Sequence, residues 1–216
     1  MNDRSAIQTR VAPPVPPAAL AGFDHIQRTW DQSQGSFISR VLPGELYVSR
    51  NAEIVTTVLG SCIAACIYDA GQAIGGMNHF MLPDEHAGSR GASDLATRYG
   101  LNAMEQLING IMKNGGCRED LKVKIFGGGR MIPTMGDVGA RNIEFVRRYL
   151  REEGFEILSE DVGSVYPRKV NFHPTTGRAF VKRLRPLHKQ ALADREQELL
   201  SKISQKTAVS TDVELF

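Results

Sequence analysis

Two side chains in the first half of the chain have types and positions suited to covalent chemistry. Cys62 directly follows Gly60-Ser61, a break between the β-branched run at residues 54–59 and the apolar run at residues 62–68. His79 lies further on in Asn78-His79-Phe80-Met81-Leu82, a segment stopped by Pro83. A thiol in a turn has backbone N–H groups near it that lower its pKa and bind an oxyanion. A cysteine nucleophile also needs a base to take its proton and a third group to orient that base. Cys62 and His79 supply the first two. The competing reading is structural: a core cysteine in an apolar run and a satisfied histidine. Cys66, between Ala65 and Ile67, reads as core, and Cys117, after Gly115-Gly116, as a loop thiol.

Other chemistries fit less well. Gly127-Gly128-Gly129 follows a strand, yet it lacks the Gly-x-Gly-x-x-Gly spacing and no Lys-Ser/Thr pair follows. It reads as a tight turn where backbone passes close to backbone. For metal, no Cys-x-x-Cys, His-x-x-x-His or carboxylate-rich loop occurs. Cys62 and Cys66 share a face of a strand but sit about 13 Å apart at a rise of ~3.3 Å per residue, too far for one zinc. These residues therefore predict neither a metal site nor a nucleotide loop.

The elements that must position Cys62 and His79 are legible from period and composition. Strands are predicted at residues 46–48, 54–59, 62–68, 73–77, 122–126, 157–158, 169–172 and 178–182, with Thr175-Thr176-Gly177 as a hairpin turn. Leu101, Met104, Leu107, Ile108 and Ile111 recur at three and four and mark an amphipathic helix over 95–113. Ile143, Val146 and Leu150 mark a second over 141–153, closed by Gly154. Residues 84–92 read as a loop. Strands, then two helices, then strands predict a single α+β domain, with mixed sheets layered against two main helices.

The chain of 216 residues is long enough for one domain with tails. Charge is nearly balanced, 26 Lys+Arg against 24 Asp+Glu, so no general field favours nucleic acid or anionic lipid. No apolar stretch approaches the ~20 residues that span a bilayer, and Asp3 and Arg4 precede no apolar signal segment. Three cysteines, an odd number, argue for a reducing compartment and a cytoplasmic protein. Residues 1–40, polar and then rich in Pro and Ala, are expected to be a mobile extension, although Trp30 and Phe37 have the means to pack. The domain is expected at 41–186. Residues 187–216 are expected to be a charged tail with Leu192, Leu199 and Ile203 as a sparse helical stripe, and a chain trimmed to 41–186 is expected to keep its fold.

The run Val55-Thr56-Thr57-Val58-Leu59-Gly60-Ser61-Cys62, with Gly75-Gly76-Met77-Asn78-His79-Phe80-Met81-Leu82-Pro83, resembles the CheD family of chemoreceptor glutamine deamidases. The likeness continues through Phe126-Gly127-Gly128-Gly129, Gly139-Ala140-Arg141-Asn142, Glu160-Asp161 and Arg168-Lys169-Val170 to Thr176-Gly177. One departure is Gly163-Ser164, where the family pattern implies a Gly-Gly pair.

The resemblance implies a Cys-His-Thr site on an α/β sandwich, with Cys62 as nucleophile, His79 as base and Thr56 as the residue that positions the histidine. Thr57 is the rival for that last role. His86 is read as a solvated loop histidine, with a place lining the entrance as the alternative, and Ser61 as a turn residue. The implied reaction hydrolyses the side-chain amide of glutamines in methyl-accepting chemotaxis receptors, without metal or cofactor. CheC-type phosphatases are the implied second partner. Two rival readings are an adaptor in which catalysis is secondary, and a cysteine hydrolase acting on another amide.

Overall fold

The computed structural model describes residues 12–83, 92–131, 137–185, 191–192 and 194–201. The first six strands are β1 (Arg28–Asp31), β2 (Ser36–Arg40), β3 (Leu46–Ser49), β4 (Ile54–Leu59), β5 (Ile63–Asp69) and β6 (Ile74–Asn78). Helix α1 (Ala92–Lys113), a short 3-10 turn (Arg118–Asp120), β7 (Lys122–Gly127) and helix α2 (Val138–Glu152) follow. The last strands are β8 (Ile157–Val162), β9 (Arg168–Phe172) and β10 (Ala179–Arg183). A C-terminal helix occupies residues 191–192 and 194–201.

The strands form two five-stranded sheets, an outer one in the order β1-β2-β4-β9-β10 and a central one in the order β3-β6-β5-β7-β8. Strand β5 shows how they stack, because all of its residues are buried. Successive strand side chains point to opposite faces, so a strand buried throughout needs cover on both. Ile63, Ala65 and Ile67 pack with Met104, Leu107, Phe145 and Leu150 of α1 and α2. Ala64, Cys66 and Tyr68 pack with Val55, Leu59, Val170 and Phe172 of the outer sheet. The result is three layers: outer sheet, central sheet, helices. This is the α+β sandwich that the pattern predicts, with one βαβ unit, since β7 and β8 are parallel and flank α2.

The predicted N-terminal boundary at residue 41 is corrected. Strand β2 pairs in parallel with β4, and β1 pairs with β2, so residues 28–40 belong to the outer sheet. Ser39 is fully buried and Ile26 nearly so. The buried Glu53 carboxylate gathers Arg28 Nε (3.2 Å) from β1, Ser39 Oγ from β2, and Tyr47 OH (2.8 Å) and Ser49 Oγ from β3. The apolar period in residues 23–40 is too short to announce strands, and this polar centre is what secures them. The boundary at 186 is corrected as well. Glu196 and Leu200 of the C-terminal helix are buried, and Leu200 joins the core between the sheets.

The departure at Gly163-Ser164 has a local cost. Gly163 has φ 75° and Ser164 φ 68°, both in the left-handed region that favours glycine. Ser164 is held there because its carbonyl accepts from Arg130 N at 2.7 Å.

Candidate active site

The site lies where the outer and central sheets face each other, at the start of β5. Ile63 and Phe80 form an antiparallel bridge, with N–H···O distances of 2.9 Å in both directions. That register places Cys62 opposite Met81 and Ala64 opposite His79, all on the face turned to the outer sheet. Cys62 Sγ is 3.9 Å from Met81 Sδ accordingly. Cys62 and His79 are then diagonal neighbours, a relationship of roughly 7–8 Å between backbones that an imidazole spans easily.

Strand β4 brings the outer sheet's contribution. Val55, Thr57 and Leu59 alternate inwards, and Thr57 Oγ1 lies 2.7 Å from His79 Nδ1. The same hydroxyl donates to Val41 O at 2.7 Å. A hydroxyl has one proton, and a carbonyl only accepts, so towards His79 the Thr57 oxygen is the acceptor. Nδ1 therefore carries the imidazole proton and Nε2 the lone pair. His79 Nε2 is buried and has no hydrogen-bond partner among the described residues. Burial pushes the imidazole pKa down to about 4 against the smaller opposing pull of the Val41 carbonyl. The ring is a neutral base whose basic nitrogen is buried and unpartnered among the described residues.

Thr56 faces the other way. Its hydroxyl donates to Val170 O (2.9 Å) or Asn171 Oδ1 (2.7 Å) of β9, and its carbonyl accepts from Val41 N (3.0 Å). The expected contact from Thr56 to the histidine is thus replaced by one from Thr57, because side chains alternate along β4 and only one threonine can face inwards. His86 lies outside the described residues.

The loop before the thiol has every backbone carbonyl occupied. Gly60 O accepts from Gly129 N (2.7 Å), Cys62 O from Gly128 N (2.8 Å), and Ser61 O from Asn142 Nδ2 of α2 (2.8 Å). Asn142 Oδ1 in turn accepts from Leu82 N at 2.9 Å, which ties the segment after His79 to the same side chain. The glycine turn is the close backbone approach that its composition suggests: a Cβ on Gly127, at φ 113°, would sit 2.0 Å from Cys62 O. With the carbonyls held outside, three successive N–H groups point inwards as an anion-binding nest.

That nest holds the Glu196 carboxylate. Oε1 accepts from Gly60 N (3.0 Å) and Cys62 N (3.2 Å), and Oε2 from Ser61 N (2.9 Å) and Ser61 Oγ (2.6 Å). Burial pushes the Cys62 thiol well above its ordinary pKa, and the adjacent Glu196 charge and hydrogen bond push it further. The expected low-pKa thiol is therefore not what this arrangement holds: with Glu196 in place, Cys62 is a protonated thiol. Cys66, on the same face of β5, is likewise raised by burial, and Cys117 is exposed. Among the described residues no three His, Cys, Asp or Glu side chains are placed to hold a metal ion.

The sequence singles out Cys62, His79 and the glycine turn, which the fold brings to one place, and it offers Thr57 as a rival to Thr56. Sequence reasoning missed Asn142 and Glu196. Asn142 closes one of the resembling motifs, so its presence was visible and its role was not. Glu196 had a weaker signal, a carboxylate midway between Leu192 and Leu200, four residues from each on one helix face.

Comparison with known proteins gives a consistent picture. The family described as CheD, chemotactic sensory transduction, matches residues 81–183, a span that begins just after His79. The chain is 50% identical over 206 residues to a Hahella chejuensis protein named probable chemoreceptor glutamine deamidase CheD, covering 94% of this chain and 97% of that one. It is 46% identical over 204 residues to a protein of the same name from Halorhodospira halophila, covering 93% and 94%. A third, from Hydrogenovibrio crunogenus, is 46% identical over 194 residues, covering 88% of this chain and all of that one.

Proposed function

The chain belongs to the CheD family, and from that premise we propose that it hydrolyses the side-chain amide of glutamines in chemoreceptors, with Cys62 as nucleophile, His79 as base and Thr57 as the group that orients the base. The observation that carries this reading is the Gly60-Ser61-Cys62 nest, whose three N–H groups converge beside the thiol. They are donors fixed where the oxyanion of an attacked carboxamide develops, and such preorganised donors are worth about 10²–10³ in rate each.

The steps follow from the protonation states. His79 Nε2 takes the Cys62 proton as sulfur bonds to the glutamine carboxamide carbon, and the carbonyl oxygen becomes an oxyanion in the nest. The carbon–nitrogen bond then breaks while His79 returns the proton to the leaving nitrogen, which departs as ammonia. A water deprotonated by His79 adds to the thioester, the carbon–sulfur bond breaks as His79 returns the proton to the sulfur, and the new carboxyl group leaves as glutamate. Thr57 keeps Nδ1 protonated throughout, so the basic nitrogen is always Nε2. The setting is the cytoplasmic part of the receptor, and no described helix is long and apolar enough to cross a membrane. A CheC-type phosphatase, in organisms that have one, is the second partner in this reading.

The test is mass spectrometry of a receptor cytoplasmic fragment incubated with the protein. Glutamine-to-glutamate conversion is expected with the native chain and with Cys66→Ala, and none with Cys62→Ala. Undiminished conversion by Cys62→Ala would end the assignment.

A further inference from the structure

We propose that Glu196 is a built-in product mimic: the C-terminal helix lays a glutamate side chain in the nest that the substrate carboxamide must enter, so the resting chain is self-inhibited and the receptor segment competes with its own tail. The proposal rests on the deamidase reading of the site. It adds a ligand for the nest and a control on access to it.

The chemistry of the occupant supports this. Deamidation of glutamine yields glutamate, and a glutamate side chain is what fills the nest. Both carboxylate oxygens are used, one by the Gly60 and Cys62 amides and the other by Ser61 N–H and Oγ. Glu196 is 2% exposed, and a buried carboxylate persists only where fixed donors replace its water. The fit is tight enough that a Cβ on Gly60 would come within 2.8 Å of Glu196 Oε1.

The delivery supports it too. Leu200, one helical turn on, is buried in the core between the sheets, and Leu199 packs against that core. Leu192, Arg195 and Glu196 line a cavity of about 390 Å³ together with Thr57 and His79. The helix thus lines the cavity that His79 borders and covers the loop that carries Cys62, which is fully buried. A carboxylate beside the sulfur also opposes thiolate formation, whereas a neutral carboxamide does not. Exchange of one for the other clears the nest and removes that opposition in one event.

A latch that served only the fold would behave differently. The first measurement uses no receptor: the rate at which iodoacetamide alkylates Cys62 in the full chain, with Cys117 as internal reference. Glu196→Ala and the helix-undocking variant Leu200→Asp are each expected to raise the Cys62 rate about tenfold near neutral pH. Unchanged rates in both, with native circular dichroism, would overturn the proposal. Two variants guard against one failing to fold.

The second measurement is sharper. Glu196→Gln puts a carboxamide in the nest beside the sulfur, and the purified variant is expected to convert it to glutamate. The rate should not depend on protein concentration, and Cys62→Ala should abolish it. Persistence of the carboxamide in a preparation that deamidates a receptor fragment would overturn the mimicry. Should every variant leave the receptor fragment untouched while Cys62 alkylation still rises in Glu196→Ala, the deamidase reading fails and the plug stands.

Discussion

Thr57 Oγ1 and His79 Nδ1 lie 2.7 Å apart, and the Thr57 hydroxyl spends its one proton on the Val41 carbonyl, 2.7 Å away. A residue on the outer sheet thereby fixes which nitrogen of a histidine on the central sheet is basic. Removing the hydroxyl while keeping the shape tests that link. Thr57→Val should lower kcat by roughly 10–100-fold with little change in KM, because a misprotonated or rotated imidazole affects the chemistry more than binding. Thr56→Val should instead cost about 1 kcal/mol of stability through its lost bonds to β9 and leave kcat within a few-fold. Ammonia release and urea unfolding on both variants decide between the threonines. Equal kcat losses would sink the assignment.

Asn142 holds Ser61 O and Leu82 N with its two amide atoms. Asn142→Asp retains the acceptor for Leu82 but sets an oxygen against the Ser61 carbonyl. Turnover is expected to fall at least tenfold as the Ser61 peptide rotates, with a stability loss of about 2 kcal/mol. Steady-state kinetics with a thermal melt checks both numbers, and a variant with native kinetics would show that the nest does not depend on α2.

The pH dependence of stability has a definite sign. His79 has a folded pKa of about 4 against an ordinary 6.5. Between these values the unfolded chain binds a proton that the folded chain refuses. Stability from this group is therefore complete above pH 6.5 and is lost as pH falls towards 4, by on the order of 3 kcal/mol. His173 is also held low by burial and by Arg178, so the comparison must isolate one ring. Urea unfolding of native chain and His79→Phe at pH 7 and pH 5 does so: the acid-induced loss should shrink in the variant. An identical loss would mean that His79 is not buried neutral.

Trimming at residue 41 should cripple the fold. It removes β1 and β2, exposes the edge of β4, and strips Arg28 and Ser39 from the buried Glu53 carboxylate. Leaving that charge without its guanidinium partner costs roughly 3–5 kcal/mol, a large share of the stability of a domain this size. A chain beginning at residue 41 is expected to melt well below the full chain or to fail to fold, and differential scanning calorimetry measures the difference. Glu53→Gln in the same trimmed chain should recover part of the loss.

The amino-acid sequence by itself determined the central layers and singled out Cys62 and His79 as candidate groups. Residues 54–59 and 62–68 announce strands through β-branched and apolar runs, α1 and α2 announce helices through their period, and a cysteine after Gly-Ser with a later histidine is visible in the sequence. These are local signals, written within a dozen residues of where they act. What the tertiary structure decided is non-local. Which of Thr56 and Thr57 faces His79 depends on the pleat of β4 against a second sheet, and a shift of one residue exchanges the two. That residues 28–40 are strands depends on Glu53 and on an open edge of β4, neither of which leaves a mark in their own composition. That Glu196 reaches across more than a hundred residues to the Cys62 loop is decided by the glycine turn and Asn142, which hold three carbonyls outwards and leave three N–H groups in need of an acceptor. Hydrogen-bond satisfaction is a property of the assembled backbone, so no window of the sequence contains it.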